Sequence, residues 1–306
     1  MSHFTVLVIG DDVEGQLAPY DENTEVEAYK AYWDTDTLER WTRILQGSED
    51  EHQGIPENAT IDQIAEAYNA RYHDDGGEDR VFVDDGGIFE WSTYNPKSKW
   101  DWYSTGGRWR GYFLRKEGAL AKVGAPGVFD NESRYGERGA DVIQRKDVDV
   151  EGMQQPAMEE AGRLWDEVHA IIDPLPEMVG WRSLVGEALT AAGGDQSKVD
   201  MDSLREAYHS QPRVQAMKGR EEFGPFGLTI EEFQVERDVF VNRAKNGVLC
   251  TYAYVKDGEW HAPGNMGWWG MSDDTENDRY RFAEEFNAMF EALPGDTWLT
   301  LVDCHI

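Results

Sequence analysis

The sequence predicts an α+β protein, and three observations carry that prediction. Both ends of the 306-residue chain hold short apolar, β-branched runs broken by Gly, Asp, Asn and Pro. The middle instead repeats apolar residues at helical spacing. Dispersed through both are 37 aromatic residues, 12 Trp, 13 Tyr and 12 Phe, enough apolar bulk to offset the entropy of ordering a chain of this length. The expected architecture is one antiparallel or mixed sheet from the two ends, with the helical middle as an insertion packed on it.

Taken in order, His3 to Ile9 reads as a buried strand stopped by Gly10-Asp11-Asp12. Leu38, Trp41, Thr42 and Leu45 mark a short helix, and Ile61, Ile64, Ala65, Tyr68 and Tyr72 a second, with Thr60 as N-cap. Strand patterns follow at 81–83, 88–94, 99–103 and 108–114, separated by Asp85-Gly86-Gly87, Asn95-Pro96 and Gly106-Gly107. Residues 118–152 are Gly-rich and polar and read as a loop-rich connector. From 153 to 246 the pattern is helical: Ala161, Leu164, Trp165, Val168, Ile171 and Ile172 form one stripe. Ile230, Phe233, Arg237, Phe240, Val241 and Ala244 form another, opened by a Thr229/Glu232 capping box. Strand character returns at 248–255, a helix carries Phe282, Phe286, Met289, Phe290 and Leu293, and a last strand closes the chain. The domain reading is therefore 1–117 with 247–306 as the sheet domain, 118–152 as connector and 153–246 as helical insertion.

Charge narrows the function classes. With 29 Lys and Arg against 60 Asp and Glu, the formal charge is −31, which repels nucleic-acid phosphates and anionic membranes. The acids are spread over many segments, as a solubilising coat would be. No apolar run reaches membrane-spanning length, the Met1 start lacks a basic and apolar leader, and Cys250 and Cys304 are the only cysteines, so the expected location is the cytoplasm.

One stretch reverses the electrostatics. Between Lys97 and Lys122 lie seven basic residues and two acidic ones, interleaved with aromatics. Lys97, Lys99, Trp102, Arg108, Trp109 and Arg110 form a candidate anion site, with Arg as bidentate donor to phosphate or carboxylate. If 99–103 and 108–114 pair as a hairpin turning at Ser104–Gly107, Arg108, Arg110 and Tyr112 share one face, while Trp100, Trp102 and Trp109 line a core. The plainer alternative buries the tryptophans and spends the basic groups on surplus carboxylates. A second constellation joins the chain ends. Were the first and last strands antiparallel neighbours, His3, Asp303 and His305 would share a face with Cys304 on the other, a set suited to a divalent metal or an acid–base pair. A third is the loop 261–271, whose Trp268 and Trp269 either plug the core or line a cleft. Signatures for phosphate loops, dinucleotide folds, zincins, nucleophile elbows and paired CxxC are missing.

The opening SHFTVLVIGDD, the internal NPKSKWDWYSTGGRWRG and the closing VDCHI resemble a family of uncharacterised proteins found in bacteriophage genomes and some bacteria. That resemblance implies a phage-encoded accessory protein of the host cytoplasm and imports no activity. Combined with the charge, it leads to the expectation of a binding protein that engages a basic, nucleic-acid-handling host partner, with a host defence factor that it counters as one such partner. The alternatives are an enzyme or binding protein for a small anionic molecule such as a nucleotide, and a structural or assembly protein.

Overall fold

The computed structural model describes residues 2–47, 54–73, 80–129, 131–223, 227–267 and 271–306. Trp268 and Trp269 of the third constellation lie outside them. The fold is α+β, as the sequence predicts. Its strands are β1 (His3–Ile9), β2 (Tyr29–Tyr32), β3 (Phe82–Asp84), β4 (Gly87–Ser92), β5 (Trp102–Gly107), β6 (Phe113–Leu114), β7 (Ala121–Lys122), β8 (Ala125–Pro126), β9 (Gly139–Ala140), β10 (Val142–Gln144), β11 (Ala253–Lys256), β12 (Glu259–His261) and β13 (Trp298–His305). Its helices are α1 (Val13–Leu17), α2 (Thr35–Gln46), α3 (Ile61–Tyr72), α4 (Val150–Ile172), α5 (Trp181–Ala191), α6 (Met201–His209), α7 (Pro212–Met217), α8 (Arg237–Gly247) and α9 (Glu276–Ala292). They form two compact units: Met1–Gln16 with Trp102–Ile306, and Leu17–Asp101.

The larger unit is built on a mixed sheet ordered β12-β11-β1-β13-β10-β7. The chain ends meet at its centre, where β1 runs antiparallel to β13 over its full length and parallel to β11. The other edge of β13 is shared: β5 takes Val302–His305 and β10 takes Trp298–Thr300. One face carries Leu7, Ile9, Leu299, Leu301 and Ile143, packed with Phe282, Phe286 and Phe290 of α9, the phenylalanines at helical spacing. A Thr275/Asp278 capping box starts that helix. The helical stretch has a core of its own, in which Leu164, Val168 and Ile172 of α4 meet Phe233 and Phe240. The Thr229/Glu232 capping box forms, but it opens a 3₁₀ turn over Ile230–Gln234, and α8 begins separately at Arg237.

Two local expectations fail. No hairpin joins 99–103 to 108–114: Ser104–Gly107 lies inside β5, which pairs with β13 and β8, and Phe113–Leu114 pairs with β9. The long-range partner β13, itself almost wholly buried, supplies a four-residue ladder to this strand, and Gly106-Gly107 ends the strand instead of turning a hairpin. Residues 118–152, read as a connector, supply β7, β8, β9 and β10, with β7 and β10 in the main sheet. These strands are two or three residues long, below what periodicity can register.

The smaller unit is two-layered. Strands β2, β4 and β3 form an antiparallel sheet, and α2 and α3 cover one face through Leu45, Ile64, Ala65, Val81 and Ile88. Both helices are capped as their sequences imply, by the Asp34 side chain and by a Thr60/Gln63 capping box. Asn69 holds the chain before β3, its side chain bonding both Val81 N–H and Val81 C=O.

Candidate functional site

At the open end of the main sheet the apolar row gives way to polar side chains. The strand register places His3 opposite His305 and Thr5 opposite Asp303, while Trp102 and Ser104 of β5 face His305 and Asp303. Directly paired residues point to the same face, so His3, Asp303, His305 and Trp102 converge, and Cys304 lies on the reverse, fully buried opposite Phe4. The pairing of chain ends is thus as the sequence suggests.

The geometry is that of a dyad. His3 Nδ1 lies 2.8 Å from Asp303 Oδ1, and Asp303 is only 1% exposed. A carboxylate only accepts, so Nδ1 carries the proton in this bond and Nε2 is left as the imidazole's basic nitrogen. Asp303 Oδ2 accepts the backbone N–H of Arg108 at 2.8 Å. The His305 ring stands edge-on to His3 at 5.0 Å, and Trp102 stacks on His305 at 5.1 Å while meeting the His3 edge at 5.3 Å. At 41% exposure Trp102 is the outermost member of the group. The expected divalent-metal residues are therefore brought together, with His3 Nδ1 and Asp303 turned to one another and His305 in ring contact with His3. Both Asp303 oxygens are engaged, and among the described residues no group of three or more His, Cys, Asp or Glu side chains is arranged to hold a metal ion.

A second buried carboxylate completes the loop that carries Arg108. Asp141, 0% exposed, sits at the gap on β13 between β5 and β10, its C=O accepting from Leu301 N–H. Its side chain accepts the N–H groups of Gly111 and Gly124 at 2.8 Å and of Tyr112 at 3.0 Å. The segment Gly106–Tyr112 is thus pinned from below by Asp303 and Asp141, with main-chain donors and no cationic side chain. Glycine is required at its entry. Gly106 and Gly107 have φ of +81° and +54°, and a Cβ on Gly106 would lie 2.8 Å from Asp141 Oδ2. On Gly107 it would overlap the Asp303 side chain.

The cationic island is sorted by this arrangement. Arg108 is exposed, and its guanidinium makes no hydrogen bond or ion pair among the described residues. Arg110 Nε donates to Gly124 C=O at 3.0 Å, and Arg115 and Lys116 donate to the carbonyls of Ala119, Glu137 and Lys146. Among the described residues these four are bound to neutral acceptors or to none, and none of them pairs with a carboxylate there. Trp109 packs against the main core, as the plainer reading has it, whereas Trp102 belongs to the polar group rather than a tryptophan core. Trp100 is buried in the smaller unit, donating to Leu17 C=O. Lys97 and Lys99 also belong to the smaller unit, so the six anion-site residues divide between the two.

Sequence reading missed Asp141, which stands in the presumed connector with nothing in its neighbours to mark it. No family model matches the chain, and neither a curated protein nor a solved structure does. Among the described residues no helix is long and apolar enough to cross a membrane.

Proposed function

We propose that the open end of the main sheet binds a small molecule bearing a phosphate and an aromatic ring, a nucleotide in the simplest case, with His3 and Asp303 as its proton-transfer pair. One observation supports this above the others: a single buried carboxylate receives both the imidazole of His3 and the backbone of Arg108. The dyad and the loop presenting the Arg108 guanidinium, which has no partner among the described residues, are consequently held by one side chain. In such an arrangement Asp303 orients the imidazole, and His3 Nε2 takes a proton from a water whose oxygen bonds to phosphorus. The phosphorus bond to the leaving oxygen breaks with its electron pair going to that oxygen, which receives the proton back from His3, and Arg108 holds the phosphate charge that develops. Trp102 offers a ring for stacking.

The test is a panel of purified nucleotides titrated into the full chain by calorimetry, with phosphorus NMR on the same mixtures for turnover. Binding of one member should weaken roughly tenfold to a hundredfold in Arg108→Ala, the worth of a charge-assisted contact. Turnover, where seen, should vanish in His3→Gln with binding retained. Binding that ignores Arg108→Ala, or no binding across the panel, defeats the proposal. The accessory-protein reading, in which the anionic surface engages a basic host protein, then stands ahead of it.

A further inference from the structure

The sheet of the smaller unit has two faces, and among the described residues helices cover only one. Val83 and Ile88 pair across β3 and β4 on the helix side. Alternation then places Phe82, Asp84, Phe89, Trp91, Lys30 and Tyr32 on the other face, where Lys30 is opposite Trp91 and both Tyr32 and Phe82 are opposite Phe89. Phe89 is the hub: Phe82 stacks on it at 5.7 Å, Tyr32 tilts toward it at 5.5 Å and Trp91 meets it edge-on at 5.8 Å. While Phe89 is buried by these neighbours, Phe82, Tyr32 and Trp91 remain 43%, 45% and 53% exposed. Isolated exposed aromatics are ordinary, but a contiguous set fixed on a sheet marks a contact surface.

What such a surface takes is decided by charge. Leu17–Asp101 carries 21 Asp and Glu against 7 Lys and Arg. That field repels nucleic acid, although stacked aromatics alone would suit it, and it repels a second copy of the same unit. It attracts cations, and aromatic faces hold guanidinium and ammonium groups directly. The unit already shows the contact in miniature: Lys30 Nζ lies 4.5 Å above the Phe89 ring while paired with Asp84. We propose that the exposed face of β2, β4 and β3 is a docking surface for an arginine- and lysine-bearing protein segment, held by cation–π contacts to Trp91, Phe82 and Tyr32 within an anionic surround. This surface is independent of the nucleotide reading.

The experiment uses the full chain with an oligo-arginine peptide, an oligolysine of equal length and single-stranded oligo-dT, titrated at low and at physiological salt. Oligo-arginine should bind more tightly than oligolysine, since guanidinium stacks on rings as well as pairing with them. Trp91→Ala and Phe82→Ala should each weaken it roughly tenfold, the upper range of a cation–π contact. Hydrogen exchange on the unaltered protein gives a second measure that needs no variant, with peptide-dependent protection expected in β2 and β4. Equal affinity in the alanine variants, or protection only outside this sheet, overturns the proposal. So does oligo-dT binding lost on Trp91→Ala, or self-association of the parent chain that Trp91→Ala abolishes.

Discussion

The two sheets depart from ordinary burial in opposite directions. In the main sheet, ionisable groups are withdrawn from water: Asp303 is almost wholly buried against His3, and Asp141 is wholly buried under the loop that carries Arg108. On the free face of the smaller sheet, large rings are left in water. Each departure costs stability, but the compensation differs. The buried carboxylates are satisfied by main-chain N–H donors fixed in place, so their cost is met by geometry that tolerates little change. The exposed rings have contact with one another, and only Tyr32 adds a polar bond among the described residues, its hydroxyl donating to Asp84. A satisfied, buried polar group suits discrimination among small ligands, whereas an uncompensated apolar face gains only when a partner covers it.

That contrast is broken or sharpened first at Asp141. Asp141→Ala strands the buried N–H groups of Gly111 and Tyr112 and the half-buried one of Gly124, and should cost about 3–5 kcal/mol in urea unfolding. A loss below about 1 kcal/mol would mean the loop is solvated in solution and the preorganisation argument fails. Next in size is Gly107→Ala. Its φ of +54° and its overlap with Asp303 together predict about 2–3 kcal/mol, with His3 released from its partner. The imidazole resonances of His3 should shift in that variant while those of His73, in the smaller unit, stay where they are.

Much of this contrast is written in the sequence, and the unwritten part has a physical cause. His3, Asp303 and His305 are legible because strand alternation at the two ends predicts their shared face once the strands are paired. The cationic island is legible as composition. Its geometry is not, since Ser104–Gly107 looks like a turn to any local rule, and only the competition for the edge of β13 makes it a strand. Asp141 is illegible for the same reason: its partners are 17 to 30 residues away, and a three-residue strand leaves no period to detect. The β2 strand, missed from the sequence, owes its existence to pairing with β4, so the aromatic face could not be assembled from patterns alone.

Alkaline titration probes the core of the larger unit. Burial pushes the Cys250 thiol from its ordinary 9.0 up to about 12, and burial likewise raises the Tyr112 phenol, whose O–H donates to Cys250 C=O at 2.9 Å. Both raised groups lie in the larger unit. Unfolding restores ordinary values, so above pH 9 the unfolded chain gives up protons that the folded one keeps. The contribution of these two groups should be constant below pH 9 and fall above it by about 1.4 kcal/mol per pH unit for each ionising group up to its folded value. Cys250→Ala should remove the part of this slope that begins near 9, and native Cys250 should resist alkylation at pH 8.

The smallest expected effect is the most discriminating for the comparison. Trp91→Ser removes a ring that is half in water and touches chiefly Phe89, so stability should change by no more than about 0.5 kcal/mol, against several for Asp141→Ala. Were Trp91 there to hold the sheet together, its loss would expose Phe89 and destabilise the unit as core truncations do, by about 3 kcal/mol. Thermal unfolding of the two variants side by side decides between these roles. A tryptophan that the fold can spare, on a face no helix covers, is one whose value lies in what it meets outside the chain.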